Sequence, residues 1–172
     1  MPAAAVATLS QPFGAAAPDG RAARIVRGVQ AMLAEAGWVS LAEVSLASGR
    51  RADLMALGPK GDIQIIEVKS CLQDFRTDRK WPDYAPWCDS FLFAVDCDFP
   101  CDRLPPDAGL IVADAFGGAI VRPCGPMERL VAARRKAITL AFARLGAARL
   151  MRAAEGLQDS LRAGADTEPS ID

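Results

Sequence analysis

Apolar and polar positions along the chain alternate at two periods, and the changes of period divide it into elements. Residues 21–36 carry Ile25, Val26, Val29, Met32 and Leu33 at helical spacing, and Gly37 stands where a helix C-terminus favours glycine. Asp19, near the positive end of this helix, is a weak start signal. Val44 and Leu46 then alternate with Glu43 and Ser45, and Ala52, Leu54 and Ala56 alternate with Arg51, Asp53 and Met55. Two such runs joined by a short Ser-Gly turn predict a β-hairpin. After a second turn at Gly58–Asp62, Ile63–Lys69 is apolar on both faces until Glu67 and Lys69, as in a strand at a sheet centre. Ser70–Pro86 mixes short helical pieces with aromatics, and Pro82 interrupts any long helix there. Residues 90–95 predict a buried strand, 109–113 and 119–122 a hairpin across Gly117-Gly118, and 127–155 a long alanine-rich amphipathic helix. This order predicts an α/β fold with a mixed β-sheet flanked by helices.

The chain has 172 residues, which suits one domain. Residues 1–20 are Ala/Pro-rich and 156–172 small, polar and acidic, so both are expected to be disordered tails around a folded domain at 21–155. No stretch is apolar and long enough to span a bilayer, and the N-terminus lacks the basic start of a secretory signal, so a cytoplasmic protein is expected. The five cysteines form no CxxC pair and read as free, small, buried hydrophobes. An all-cysteine zinc site of Cys88, Cys97, Cys101 and Cys124 is the competing reading. A net charge of -1 argues against a generic polyanion binder. Locally, Arg21, Arg24 and Arg27 and the run Arg134-Arg135-Lys136 form basic patches, read either as solvated helix faces or as DNA-facing surface.

The candidate chemistry sits in the central strands. A register that sets Val44 and Leu46 beside Leu54 and Ala52 turns Glu43 and Asp53 together toward the other face. Glu67 and Lys69 share a face of the next strand. If that strand pairs with its predecessor, the four charged groups converge at one end of the sheet. Carboxylates grouped beside a buried strand need a compensating cation. Mg²⁺ (or Mn²⁺) prefers oxygen ligands, binds phosphate and activates water. Asp53, Glu67, Glu43 and the Val68 carbonyl are the candidate ligands, and Lys69 adds positive charge for the attacking water or the phosphate. A surface ion pair between Glu67 and Lys69 is the alternative, since a lone Glu-x-Lys is common. Asp53 in the preceding hairpin and the apolar strand leading into the triplet favour the metal site.

Asp53 followed by Glu67-Val68-Lys69 at the end of a strand resembles the PD-(D/E)xK nuclease superfamily. The longer pattern Glu43-Val44, Gly49-Arg50-Arg51-Ala52-Asp53, Glu67-Val68-Lys69 and Lys80-Trp81-Pro82-Asp83-Tyr84 through Cys88-Asp89-Ser90-Phe91 is similar to the MmcB-like DNA repair proteins of bacteria, over about residues 21–150. The resemblance implies a restriction-endonuclease-like fold, a role in the response to DNA damage, Asp53 and Glu67 as metal ligands and Lys69 as catalytic lysine. The chain departs from the superfamily in having Ala52 for the usual proline and no acid near the start of its first helix. Glu35 lies at the helix end, so Glu43 is the better substitute for the missing ligand. Lys80 and Tyr84 resemble the Gln-x-x-x-Tyr element of some relatives, with Lys in place of Gln. Arg51, Arg76, Lys80 and Tyr84 are the candidate DNA contacts, with Tyr84 beside a base or sugar. Trp38, Trp81 and Trp87 are expected in the core.

Two functions follow: a Mg²⁺-dependent DNA nuclease, or a catalytically silent DNA-binding module of the same fold. A protein-interaction adaptor using the C-terminal helix is a third. A homodimer is expected, since cutting both strands needs two sites. No small-molecule cofactor is expected.

Overall fold

Six strands form a single sheet in chain order: β1 (Val39–Ser45), β2 (Arg51–Leu57), β3 (Ile63–Val68), β4 (Ser90–Val95), β5 (Gly109–Ala113) and β6 (Gly118–Arg122). β1, β2 and β3 are antiparallel, β4 runs parallel to both β3 and β5, and β6 returns antiparallel to β5. Helix α1 (Arg21–Glu35) covers one face, and the first half of helix α2 (Ala132–Ala165) packs on the other. The computed structural model describes residues 20–71 and 81–165. Its α/β architecture, an open mixed sheet flanked by helices, is the one the order of elements predicts.

The central strands are apolar on both faces because both faces are covered. Leu54, Ala56, Ile66, Leu92 and Ile111 pack against Ile25, Val29 and Leu33 of α1. Met55, Ile63, Ile65, Phe91 and Phe93 face Tyr84, Ile138 and Phe142. α1 approaches the β5–β6 turn so closely that a Cβ at Gly28 would lie 2.1 Å from the Asp114 carbonyl oxygen. α1 ends in a Schellman motif: Gly37 has φ +76, its amide donates to Ala34, and Trp38 N donates to the Leu33 carbonyl at 2.8 Å.

Three expectations need correcting. α2 starts at Ala132 rather than residue 127, because residues 123–131 form no regular element and Leu130 N is bonded to Asp89 Oδ1 at 3.2 Å. It continues to Ala165 rather than ending at residue 155, so part of the expected disordered tail is helical; alanine, leucine, arginine and glutamine are good helix formers. The register of β1 on β2 pairs Val44 with Ala52 and Ala42 with Leu54, two residues from the expected match. A two-residue slip preserves the faces, so the argument from alternation survives. The N-terminal tail and residues 166–172 lie outside the described residues. Among the described residues no helix is long and apolar enough to cross a membrane.

Candidate active site

The antiparallel ladder between β2 and β3 is regular as far as Leu54 opposite Ile66. Past that pair, side chains take over from backbone carbonyls. Val68 N donates to Asp53 Oδ2 at 2.8 Å, and Asp53 N donates to Glu67 Oε1 at 3.3 Å. Both carboxylates are thereby fixed side by side at the end of the sheet. Lys69 continues from β3, held by a bond from its amide to the Ala94 carbonyl at 2.9 Å. Its Nζ lies 3.7 Å from Glu67 Oε2. Glu67 and Lys69 are each 5% exposed, the buried charged residues among those described. They are therefore no surface ion pair.

Burial pushes the Glu67 carboxyl up to about 7, and the neighbouring Asp53 charge adds to the rise. Lys69, the Tyr84 hydroxyl and the Asp53 amide work against it. Burial also raises Asp53, with Glu43 contributing, while the Val68 amide, Lys69 and Arg51 oppose. Two adjacent acids with raised pKa values lack enough nearby positive charge. The Asp53 and Glu67 carboxylates set oxygen donors side by side. That suits Mg²⁺ or Mn²⁺, which take one or two protein carboxylates and fill their remaining positions with water or phosphate.

Glu43 stands across from Asp53, between the Ala42–Leu54 and Val44–Ala52 pairs, in a left-handed conformation with φ +54. Arg149 of α2 donates to the Ala42 carbonyl at 2.6 Å and to the Glu43 carbonyl at 3.0 Å, which fastens this irregular stretch. The Glu43 side chain is exposed and paired with Arg51 at 2.7 Å. Among the described residues no three acidic or thiol side chains are grouped closely enough to share an ion. The structure thus brings Asp53, Glu67 and Lys69 together and leaves Glu43 at the margin, because its left-handed backbone and Arg51 direct it elsewhere.

The candidate DNA contacts separate. Arg51 is exposed at the rim of the site. Tyr84 is 5% exposed, with its ring stacked on Phe91 at 5.6 Å between centroids, so it has no face to offer a base. A short 3₁₀ turn, Trp81–Trp87, buries it, and Trp81 and Trp87 pack partly buried against the same cluster. The Tyr84 hydroxyl donates to the Arg51 carbonyl at 3.0 Å and is also within hydrogen-bond reach of the Glu67 carboxylate. Lys80 and Arg76 lie outside the described residues. Sequence reasoning missed this supporting role of Tyr84 and the anchoring role of Arg149. The available signal for the first was the chain's one tyrosine in a proline-flanked apolar turn, since a buried tyrosine hydroxyl needs a partner.

The profile of a family described as "DNA repair protein MmcB-like" matches residues 11–156. A solved structure of a protein of unknown function from Silicibacter pomeroyi is 40% identical, with a TM-score of 0.75, over 89% of this chain and 98% of that one. No curated protein matches the chain.

Proposed function

The chain belongs to the MmcB-like DNA repair protein family, and from that premise we propose that it hydrolyses DNA phosphodiester bonds with a divalent cation, at Asp53, Glu67 and Lys69. The supporting observation is the pairing of Asp53 with Glu67 where β2 and β3 part, with the buried Lys69 ammonium 3.7 Å from Glu67. Such a trio destabilises the fold through burial of charge, a feature that clusters at functional sites. Asp53, Glu67 and the Val68 carbonyl would hold Mg²⁺ or Mn²⁺. When bound, such an ion polarises a phosphate oxygen and acidifies water. Lys69 brings positive charge to the phosphate as negative charge develops on it. In the metal-free protein burial raises the Glu67 carboxyl to about 7, so binding of the ion near neutral pH is coupled to loss of that proton. Tyr84 orients Glu67 from the core side. Arg51 at the rim suits phosphate contact and carries no sequence information.

One observation favours the catalytically silent DNA-binding module: Glu43 is committed to Arg51, which leaves two acids at the centre. Purified protein incubated with branched, single-stranded and duplex DNA, with and without Mg²⁺ or Mn²⁺, separates the two. Ion-dependent cleavage that disappears in Lys69→Ala supports the nuclease. DNA binding with no cleavage of any form under either ion rules it out in favour of the silent module.

A further inference from the structure

Strands β3, β4 and β5 run parallel, so their C-terminal ends lie at one edge of the sheet. Glu67 and Lys69 stand where β3 ends, and the turn Asp114–Gly117 follows the end of β5. The turn therefore shares its edge with the candidate active site. β5 is two strand spacings from β3, about 10 Å, a span of about three nucleotides of a stacked strand.

Phe116 in this turn is 90% exposed, and among the described residues it is the one aromatic side chain with large apolar exposure. Scattered exposed apolar residues are ordinary. The support beneath this one is not. Asp114 Oδ1 accepts from Phe116 N at 2.7 Å and from Gly117 N at 3.0 Å, and Asp114 N donates to the Gly117 carbonyl at 3.0 Å. α1 presses on the turn at Gly28, where a Cβ would lie 2.1 Å from the Asp114 carbonyl oxygen and 2.5 Å from that of Gly117. The backbone that carries the ring is braced on two sides, while the ring itself adds almost no buried surface to the fold. A ring presented in this way gives up little freedom when it meets a flat partner.

We infer that Phe116 stacks on an unpaired nucleobase of DNA lying across this edge, and so directs the site to single-stranded or branched DNA. This rests on the proposed placing of DNA against Asp53, Glu67 and Lys69. Every base has a π-face, so an aromatic ring binds it without regard to sequence. A base inside a duplex has neighbours on both faces and must be unstacked at a cost before a ring can reach it. An unpaired base needs no such opening. The charges around the turn balance: Arg21, Arg24 and Arg27 of α1 stand against Asp96, Asp98 and Asp114. Asp96 and Asp98 are paired with Arg21, and Asp114 accepts from the turn amides. Arg24 and Arg27 are exposed and suit phosphate contact, which carries no preference between DNA forms. The preference then comes from stacking.

The test is the affinity of the full chain for a labelled single-stranded oligonucleotide and for the fully paired duplex of the same length, without divalent ion so that neither is cut. The single strand carries one 2-aminopurine, whose fluorescence falls when an aromatic ring stacks on it. Wild type should bind the single strand more tightly and quench the probe. Phe116→Ala should lose at least about 5-fold on the single strand, lose the quenching and bind the duplex as before. Phe116→Trp should keep both, and Phe116→Leu neither. Melting temperatures should match throughout, because the side chain is exposed. A wild type that binds no DNA, a Phe116→Ala that binds the single strand like wild type, or an equal loss on both forms would overturn the inference. So would a Phe116→Ala that changes only the sedimentation of the chain, which would make the ring a protein contact. Cleavage with Mg²⁺ or Mn²⁺ is a separate readout. A wild type that stacks the base and cuts nothing removes the nuclease and keeps this inference; one that cuts with no dependence on Phe116 does the reverse.

Discussion

The amide of Asp53 donates to the carboxylate of Glu67, while the carboxylate of Asp53 accepts from Val68, the residue after Glu67. Each acid closes a gap in the ladder between β2 and β3, so the same atoms serve the fold and the candidate metal site. The two duties can be separated because hydrogen-bond acceptance needs an oxygen, and ion binding needs the charge as well.

Asp53→Asn exploits that difference. The amide oxygen can still accept from Val68, so the melting temperature should stay within a few degrees of wild type. Mg²⁺ or Mn²⁺ affinity, measured by calorimetry, should fall at least about 10-fold. Equal binding by both proteins would remove Asp53 from the metal site.

Glu67→Gln should change the pH dependence of stability in metal-free protein. The folded-state pKa is raised to about 7 from an ordinary 4.5, so between those values the folded chain holds more protons than the unfolded one. Stability is then fully present below about pH 4.5 and declines as pH rises through about 7. Glutamine removes the ionisation. The variant should exceed wild type at about pH 8 by up to roughly 3 kcal/mol, with little difference at about pH 4. Urea unfolding at both pH values measures this, and a wild type whose stability stays flat across the range would contradict it.

The charged trio was legible in the sequence because an apolar strand that abruptly carries Glu67 and Lys69 on one face, beside Asp53 in the preceding hairpin, breaks its own pattern. The positions of the strands were legible because each run is short and bounded by turn residues. The placement of Glu43 was not legible, because its left-handed φ and its partner Arg51 are set by local geometry that alternation does not encode. Tyr84 stood as a DNA contact on its resemblance to a Gln-x-x-x-Tyr element, whereas Pro82 and Pro86 belong to a 3₁₀ turn that folds the ring into the core. The start of α2 depends on Asp89, whose grip on Leu130 spans forty-one residues.

Asp89→Ala tests that long-range contact. Arg135 places NH1 and NH2 2.6 and 2.7 Å from the two carboxylate oxygens, and Ile63 N donates at 2.8 Å, which ties the start of β3 to the start of α2. Burial works to raise the Asp89 pKa, but Arg135 and the two amides hold it below the usual range. Its stabilisation is therefore present above the unfolded value and lost as pH falls through the folded one. The variant should lose about 3 kcal/mol at neutral pH, and the gap to wild type should narrow in acid. A loss under about 1 kcal/mol by urea unfolding would show the contact to be peripheral.

Lys69→Ala separates a metal site from a working active site. The ammonium meets charge that grows on the phosphate during reaction, so its effect belongs to the transition state rather than to ion binding. Cleavage should fall by about 10²–10³-fold while Mg²⁺ affinity is largely kept. The assay pH matters, because Lys69 opposes the rise of Glu67, and its loss pushes that carboxyl higher still. At neutral pH the variant would therefore show weaker ion binding for protonation reasons alone. Measured at a pH high enough that Glu67 is ionised in both proteins, the two should bind the ion comparably and differ in rate. Asp53→Ala should lose both ion and cleavage. If Lys69→Ala instead cuts DNA at the wild-type rate, the buried ammonium only balances the charge of Glu67, and the catalytic group lies elsewhere.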